Sequence, residues 1–175
     1  MRDPFGAGDG HKEVRPTTGK TLNALMSILG PLNGLRFADF FSGTGRVGLL
    51  ASQRGAEVVT VELLPARSKA LAATFKGGGT HLCMDARRAA KWLENKGWVF
   101  DVIFADPPYG MKWNVDFPKL IGAHQQLVAP GGRVVLEHHK DEKVQLPEGF
   151  VCVDERRYGQ SSLTFFAREE EDERA

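Results

Sequence analysis

The sequence predicts a single α/β domain built on a mostly parallel β-sheet with helices on both faces. Strand and helix patterns alternate about five times along the chain, and this alternation is typical of parallel sheets with right-handed crossovers. Two apolar runs joined by a short turn close the chain, which predicts a hairpin that adds one antiparallel strand. The length of 175 residues fits one domain, and a hydrophobic share of 42% suffices for a core.

The elements are predicted in order from an N-terminal helix that starts near Arg15-Pro16-Thr17-Thr18 and ends at Gly30-Pro31. Strands are then predicted at residues 34–40, 57–63, 80–85, 100–105 and 133–139. Helices are predicted within residues 43–54, from Pro65 to the Gly77-Gly78-Gly79 break, over 86–96, and along a face from Phe117 to Val128. The closing hairpin is predicted at 149–159 and 161–167. Because the strand over 100–105 is apolar on both sides, we expect it at the centre of the sheet.

Composition bounds the rest of the chain. We expect a flexible segment over residues 1–14, the folded domain over 15–168 and a charged tail over 169–175. The net charge of +1 excludes a globally basic nucleic-acid binder, so any such surface must be a local patch.

Cellular context is predicted from what the sequence lacks and from its two cysteines. No apolar run reaches the ~18–20 residues of a membrane span, and the start has no secretory h-region. Cys83 and Cys152 stand in apolar segments, which predicts buried free thiols in a reducing compartment. We therefore expect a cytoplasmic protein with no membrane partner, no metal site and, because no long apolar surface stripe remains, a monomeric state.

A glycine loop follows the first predicted strand and opens the next helix. It reads Gly43-x-Gly45-x-x-Gly48, the setting in which glycines allow a tight turn and let a ligand approach the backbone. Glu62 ends the next strand, where a carboxylate can reach ribose hydroxyls. These features predict a nucleoside-containing cofactor, and the alternative is that the glycines only allow tight packing of strand and helix.

Strand-end acids bear on the class of cofactor. Asp39, Glu62, Asp85 and Asp106 follow the first four strands, and carboxylates around a pocket suit a cationic sulfonium better than an anionic pyrophosphate. S-adenosylmethionine is therefore favoured over a nicotinamide or flavin dinucleotide. The alternative for each single acid, Asp85 above all, is a helix N-cap.

The fourth strand ends in Asp106-Pro107-Pro108-Tyr109. The prolines supply no N–H donors, so the segment presents carbonyl acceptors on a stiff backbone beside a carboxylate. Such a cluster suits an exocyclic amine, because its oxygens can accept hydrogen bonds from both N–H groups of the amine. The same oxygens stabilise the positive charge that develops on the amine nitrogen. Tyr109 offers a face on which a base can stack. The alternative is a proline-rich turn in which Asp106 caps the next segment.

These motifs resemble a known family. "FFSGTGRVG" with "DPPY" resembles the class I S-adenosylmethionine-dependent methyltransferases that modify exocyclic amines. "RPTTGKTLNALMSIL" and "RRYGQSSLTFF" are similar to segments of the RsmD-like bacterial 16S rRNA guanine-N2 methyltransferases, and the resemblance covers residues 15–167. It implies a Rossmann-like seven-stranded sheet with an antiparallel last strand, S-adenosylhomocysteine as product, and rRNA or the small ribosomal subunit as partner.

The resemblance also implies roles for particular residues. The cofactor contacts would be Asp39, Phe41, Ser42, Gly43, Thr44, Gly45, Glu62, Leu63, Asp85, Ala86 and Asp106. The catalytic group would be Asp106, Pro107, Pro108 and Tyr109. Apart from the resemblance, the candidates for contact with RNA are Arg15, Thr17, Lys20, Lys112 and Trp113, of which the last two come just after the amine motif; the alternative for each basic residue is a plain surface charge.

The chain departs from the family in two places. Where the family carries a further arginine and a glutamate, this sequence reads Gly19 to Ala24, and its first 14 residues replace a basic hairpin. Three alternatives therefore stay open: adenine-N6 methylation of DNA or RNA, methylation of protein glutamine, and a cofactor-binding scaffold for RNA assembly.

Overall fold

The computed structural model describes residues 18–170. The predicted flexible segment 1–14, with Arg15, Thr17 and the end of the charged tail, lies outside the described residues. The helices are α1 (Gly19–Leu29), α2 (Arg46–Gln53), α3 (Pro65–Thr74), α4 (Ala86–Asn95) and α5 (Trp113–Ala123), with a 3-10 turn at Gln125–Leu127. The strands are β1 (Arg36–Phe40), β2 (Glu57–Glu62), β3 (Thr80–Cys83), β4 (Phe100–Ala105), β5 (Val128–His139), β6 (Phe150–Tyr158) and β7 (Ser161–Arg168).

One seven-stranded sheet carries the fold, in the order β3-β2-β1-β4-β5-β7-β6. Strands β1 to β5 pair in parallel, whereas β7 lies antiparallel between β5 and β6. The predicted fold class, with an antiparallel last strand, is confirmed. The prediction that β4 is central is also confirmed, since three strands lie on either side of it.

Helices cover both faces of the sheet, as predicted. Alternate residues of β4 enter two separate cores: Phe104 packs with the apolar face of α1, whereas Ile103 and Ala105 pack on the side of α4 and α5. In β5, Val135 belongs to the α1 side and Leu136 to the opposite side. This alternation follows from the two-residue period of a strand, and it decides which strand-end side chains can meet.

Helix starts follow the sequence signals. The Thr18 hydroxyl accepts a hydrogen bond from the Thr21 N–H at 3.2 Å and caps α1. Pro65 occupies the first turn of α3, where its missing N–H costs nothing. The Asp85 carboxylate accepts from the Arg87 N–H at 2.8 Å and caps α4. Thr18, Pro65 and Asp85 thus mark where α1, α3 and α4 begin.

One predicted boundary is wrong. The helix face expected from Phe117 to Val128 is too long, because α5 ends at Ala123 and β5 already begins at Val128. The pairing of β4 with β5 shifts register between Phe100 and Val102, and this irregularity lets the strand start before the predicted residue 133. Apolar residues satisfy a helix and a strand pattern equally over so short a stretch.

The predicted burial of the two cysteines is also wrong. Cys83 and Cys152 are both exposed free thiols. They lie on β3 and β6, the two outermost strands of the sheet, where apolar neighbours in the sequence no longer imply a covered side chain.

Residues 18–170 contain neither a membrane-spanning helix nor a metal-binding cluster. None of the helices there is both long and apolar enough to cross a bilayer. No group of three or more His, Cys, Asp or Glu side chains within that range is arranged to hold a metal ion.

Candidate active site

The carboxyl ends of the parallel strands surround a cavity of about 1180 Å³. Parallel α/β sheets bind ligands at this edge. The volume exceeds the ~300–1,000 Å³ of common ligand pockets, which leaves room for two ligand groups. The lining residues lie at the ends of the strands, at the helix starts that follow them, and in the β6–β7 hairpin. They are residues 18, 20 and 21 at the start of α1; 41 and 43 after β1; 61–64 and 67; 84–87; 106–109, 111 and 113; 137 of β5; and 158–161 of the hairpin.

Ser42 ties the glycine loop to β2. Its backbone N–H donates to the Val61 carbonyl at 3.0 Å, and its hydroxyl accepts from the Val61 N–H at 3.2 Å. The same hydroxyl donates to the Asp39 carbonyl at 2.6 Å. The hydroxyl thus positions the loop against β2 and Ser42 does not line the cavity, while its contact with a cofactor stays a prediction.

The three glycines of the loop do different things. Gly43 lines the cavity with a φ of 55°, so its backbone is the part of the loop that a ligand meets. A Cβ on Gly45 would come 2.1 Å from the Leu71 side chain, and one on Gly48 would come 3.0 Å from the Asp39 carboxylate. Gly45 and Gly48 therefore serve close packing, which was the alternative interpretation of the motif.

Glu62 holds a preorganised carboxylate at the end of β2. One oxygen accepts from the Gly43 N–H at 3.1 Å and the other from the Leu64 N–H at 2.9 Å. The side chain is buried yet lines the cavity, with an Arg67 nitrogen 4.0 Å away. Each carboxylate oxygen has a further lone pair, so Glu62 can still accept hydroxyl donors from a ligand.

Asp39 lies beneath the loop and does not line the cavity. Its carboxylate accepts from the Gly48 N–H at 3.0 Å, inside the joint between β1 and α2. Burial raises the pKa of the Asp39 carboxyl from 3.8 to about 7; the Gly48 hydrogen bond opposes the rise, and the nearby Glu62 carboxylate adds a smaller contribution. Asp39 is therefore a buried acid that anchors α2, and its contact with the cofactor stays a prediction.

The region after β3 combines a cap with a cavity wall. Asp85 caps α4 and also lines the cavity, so the two interpretations of this acid do not exclude each other. Ala86 and Met84 line the same part, as does Leu63, whose side chain is 60% exposed at the rim. A carboxylate among apolar side chains suits a flat base that carries an amine.

An aromatic wall closes the cavity between β1 and α5. Phe41 has a φ of 58°, unusual for a bulky residue and typical of strained positions at functional sites. Its ring packs edge-on against Trp113 at 4.8 Å, and the Arg87 guanidinium lies 4.4 Å from the Trp113 ring centre. Trp113 is only 8% exposed but lines the cavity, so its contact with RNA stays a prediction, for a nucleotide held inside the cavity.

The remaining predicted residues divide into two groups. Lys20 lines the cavity from the first turn of α1. Thr44 and Gly45 do not line it, and Lys112, in a left-handed conformation with a φ of 63°, stands outside it at the start of α5.

The segment from Asp106 to Tyr109 lines the cavity throughout. The Tyr109 hydroxyl is 2.7 Å from the Ser161 hydroxyl of β7, and its ring packs edge-on against His139 of β5 at 5.6 Å. The ring is thus held in place by two strands that pair with each other at this edge. A fixed aromatic face next to a carboxylate is what base stacking beside an amine clamp requires.

Sequence reasoning missed one side of the cavity. Its residues come from three distant segments: the start of α1, strand β5 and the β6–β7 hairpin. The features of the sequence that could have indicated this side are the polar tip of the hairpin and the acid within the apolar β5 segment. The missed residues on this side are Thr18, Thr21, Glu137, Tyr158, Gly159, Gln160 and Ser161.

Comparison with known proteins gives the family. A family model described as conserved hypothetical protein 95 matches residues 7–167. The candidate rRNA methyltransferase YlbH of Bacillus subtilis is 30% identical over 167 residues, which cover 89% of this chain and 88% of that protein. The ribosomal RNA small subunit methyltransferase D of Escherichia coli is 33% identical over 101 residues, 55% of this chain and 50% of that protein.

A solved structure agrees with these relatives. A hypothetical protein of Thermus thermophilus is 31% identical and superimposes with a TM-score of 0.76, covering 88% of both chains. The sheet order, the strand-end cavity and the match over residues 7–167 agree with the resemblance seen in the sequence. The chain belongs to the conserved hypothetical protein 95 family, the RsmD-like family that its sequence motifs predicted, and it is a methyltransferase.

Proposed function

We propose that this chain transfers a methyl group from S-adenosylmethionine to the exocyclic N2 amine of a guanine in small-subunit rRNA. The observation that carries the proposal is the Asp106-Pro107-Pro108-Tyr109 segment, which lines one cavity together with Glu62 and Asp85. A clamp for an amine and a site for a nucleoside cofactor thus share one space.

The donor set fits S-adenosylmethionine. Glu62 is placed to accept ribose hydroxyls, Asp85 to accept from an adenine amine, and the Gly43 backbone to meet the methionine part. Carboxylates on several sides of the cavity suit a sulfonium cation better than an anionic pyrophosphate. These contacts are proposals for the bound cofactor.

The chemistry requires little beyond positioning. When bound, S-adenosylmethionine supplies a methyl group whose C–S bond breaks, with the electron pair leaving on sulfur, as the lone pair of the amine forms the N–C bond. Asp106 and the Pro107 carbonyl accept hydrogen bonds from the two N–H groups of the amine. They thereby stabilise the positive charge that builds on nitrogen. The amine then loses one proton, for which the Asp106 carboxylate is the adjacent acceptor.

The RNA target rests on relatives and on the family resemblance. The Bacillus subtilis and Escherichia coli proteins are named for rRNA methylation, and the second for the small subunit. Lys20 lines the cavity from α1 and Trp113 from α5, Lys112 directly precedes α5, and Arg15 and Thr17 precede α1 in the sequence. We propose these five as RNA contacts of a protein that acts as a monomer.

The test is transfer of tritiated methyl groups to naked small-subunit rRNA and to assembled subunits, both lacking the modification. Digestion of the product to nucleosides identifies the base and the atom. We expect N2-methylguanosine, and we expect Asp106→Ala to reduce the rate by about a thousandfold or more because the clamp is removed. Asp101→Ala at the opposite end of β4, where the carboxylate accepts the Arg36 N–H, serves as the matched control.

Different results would overturn different parts. Methylated adenosine as the product would remove the guanine assignment, and label on protein would remove the RNA target. An unchanged rate for Asp106→Ala would remove the role of the clamp. Binding of NAD without binding of S-adenosylmethionine or S-adenosylhomocysteine would remove the cofactor.

A further inference from the structure

A second carboxylate lies beside the amine clamp. Glu137 on β5 is only 5% exposed, yet it lines the same cavity as Asp106. Ala105, the last residue of β4, pairs with Leu136 of β5, so Asp106 and Glu137 each directly follow one member of that pair. The two chain segments therefore bring both acids to the same part of the sheet edge.

Strand geometry aims Glu137 to one side of the sheet. Phe104 and Val135 are paired and pack on the α1 side of the sheet. Two residues after Val135 on the same strand, Glu137 faces that same side because side chains repeat every second residue. Glu137 thus lies on the side that α1 covers, in the wall of the cavity that Asp106 also lines.

The cavity that Glu137 lines also carries hydroxyl groups. The Thr18 and Thr21 hydroxyls are 2.9 Å apart and both residues line the cavity. Ser161 of β7, which holds Tyr109, lines it as well. A buried acid in the wall of such a cavity is suited to a ligand that presents N–H donors rather than to an apolar surface.

We propose that Glu137 determines the base specificity of the site by accepting the N1–H of the target guanine. The proposal rests on the proposed function, because it assigns the neighbour of the amine that Asp106 holds. In guanine the N1–H donor lies next to the N2 amine, whereas in adenine the ring nitrogen next to the exocyclic amine is an acceptor. The proposal takes Glu137 in its carboxylate form, which only accepts hydrogen bonds, so that Glu137 binds the first arrangement and repels the second.

The wild-type protein gives the first test. Once product analysis has located the methylated nucleotide, an RNA is prepared with 2-aminopurine at that position. This base keeps the 2-amine but has an acceptor in place of the N1–H donor, and it also lacks the O6 carbonyl. We expect methyl transfer to 2-aminopurine to be at least roughly 10- to 100-fold slower than to guanine, since at least the N1–H contact is lost, and Glu137→Gln separates that contact from the O6 carbonyl.

Glu137→Gln gives the second test, with nearly the same volume. Its amide can donate to the ring acceptor of 2-aminopurine, so the guanine-to-2-aminopurine rate ratio should fall by about tenfold or more. Glu142→Gln is the matched control, because Glu142 accepts the His139 N–H in the turn after β5 and does not line the cavity. Its rate ratio should equal that of the wild type.

The outcomes separate the two proposals. Equal wild-type rates on guanine and 2-aminopurine would overturn the specificity role without any variant. A Glu137→Gln protein that still binds S-adenosylhomocysteine but loses both rates in the same proportion would also overturn it, since that is the signature of a structural role. If the wild type transfers no methyl group to guanine RNA, the proposed function fails and the role of Glu137 falls with it.

Discussion

The two sides of the cavity are built in different ways. The cofactor side, which we define as Phe41, Gly43, Glu62 and Asp85, comes from the ends of three consecutive strands, β1 to β3. The base side, which we define as the cavity-lining residues of α1, the 106–109 segment, Glu137 and the 158–161 turn, comes from distant parts of the chain. Both sides meet at one sheet edge.

This difference separates two kinds of constraint. On the cofactor side, backbone groups hold the ligand-facing carboxylate: Glu62 accepts from Gly43 and Leu64, and the loop is pinned by Ser42. On the base side, side chains hold side chains, as Ser161 holds Tyr109. We therefore expect changes on the cofactor side to affect folding and cofactor affinity, and changes on the base side to affect RNA selection and rate.

The largest expected effect follows Gly45→Ala. The new methyl group would meet the Leu71 side chain at 2.1 Å, and the backbone has a φ of 78°. Overpacking and left-handed strain together should lower the free energy of unfolding by about 2–5 kcal/mol. Urea unfolding measures the loss, and affinity for S-adenosylhomocysteine should fall with it.

A matched glycine isolates the contribution of the clash. Gly110 follows the amine clamp with a φ of 72° but has open space around a new Cβ. Gly110→Ala carries the strain alone and should cost only about 1 kcal/mol. Equal losses for the two variants would show that packing of α3 against the loop is unimportant.

Asp39→Asn tests the buried acid beneath the cofactor side. The folded protein keeps a proton on Asp39 up to about pH 7, whereas the unfolded chain releases it near pH 3.8. Stability should therefore fall as pH rises between these values, and the loss is complete above pH 7. The difference in free energy of unfolding between wild type and Asp39→Asn should change by about 2–3 kcal/mol from about pH 5 to about pH 8.

The other ionisable groups are common to the two Asp39 proteins, so their contributions cancel in that difference. Urea unfolding at several pH values across this window supplies the measurement. A difference that stays constant over this range would contradict an elevated pKa for Asp39.

Glu62→Gln addresses the cofactor side directly. The glutamine side chain has one acceptor oxygen where glutamate has two, so it cannot accept from the Gly43 and Leu64 N–H groups with separate oxygens. It also has no negative charge to attract the sulfonium cation of the cofactor. Calorimetry should show S-adenosylmethionine affinity lowered by about 10- to 100-fold. Glu57→Gln, at the exposed start of the same strand where Glu57 pairs with Arg36 at 3.1 Å, should leave the affinity unchanged.

Glu62→Gln should leave the choice of base unchanged, because Glu62 lies on the cofactor side of the cavity. Its rate ratio between guanine and 2-aminopurine should match the wild type at saturating cofactor. A changed ratio would mean that the two sides of the cavity do not act separately.

Tyr109→Phe should give the smallest effect. It removes one hydroxyl that is 2.7 Å from Ser161 and keeps the ring for stacking. We expect a loss of about 1 kcal/mol in stability and a severalfold lower transfer rate, with cofactor affinity unchanged.

A double-mutant cycle with Ser161→Ala completes that test. Because the two hydroxyls are partners, the effects of the single variants should not add in the double variant. Additive effects would show that the contact does not position the ring.

The fold was predictable because strand and helix periods differ and helix caps are local. Thr18, Pro65 and Asp85 each mark a helix start in the sequence, and each does so in the structure. The end of α5 was not predictable, since Leu127 and Val128 fit both periods and the register shift of β5 depends on its pairing with β4.

The cofactor side was visible in the sequence because its residues directly follow strands, and parallel strands end at one edge. Their hydrogen-bond partners were not: Asp39 and Ser42 both bind backbone groups of the loop and its neighbours, which depends on how deeply each side chain is packed. The sequence likewise places Trp113 just after the amine motif, but only the structure shows that it packs with Phe41 and Arg87 in the cavity wall.

Local sequence information determined the order of elements, the glycine loop and the Asp106-Pro107-Pro108-Tyr109 segment, because each depends on a few adjacent residues. The tertiary structure alone brought Glu137 into the cavity that Asp106 lines and Ser161 against Tyr109. Those placements depend on the register of β4 with β5 and on the insertion of β7 between β5 and β6. Strand register is a property of the assembled sheet, set by the packing of both faces, and no single segment encodes it.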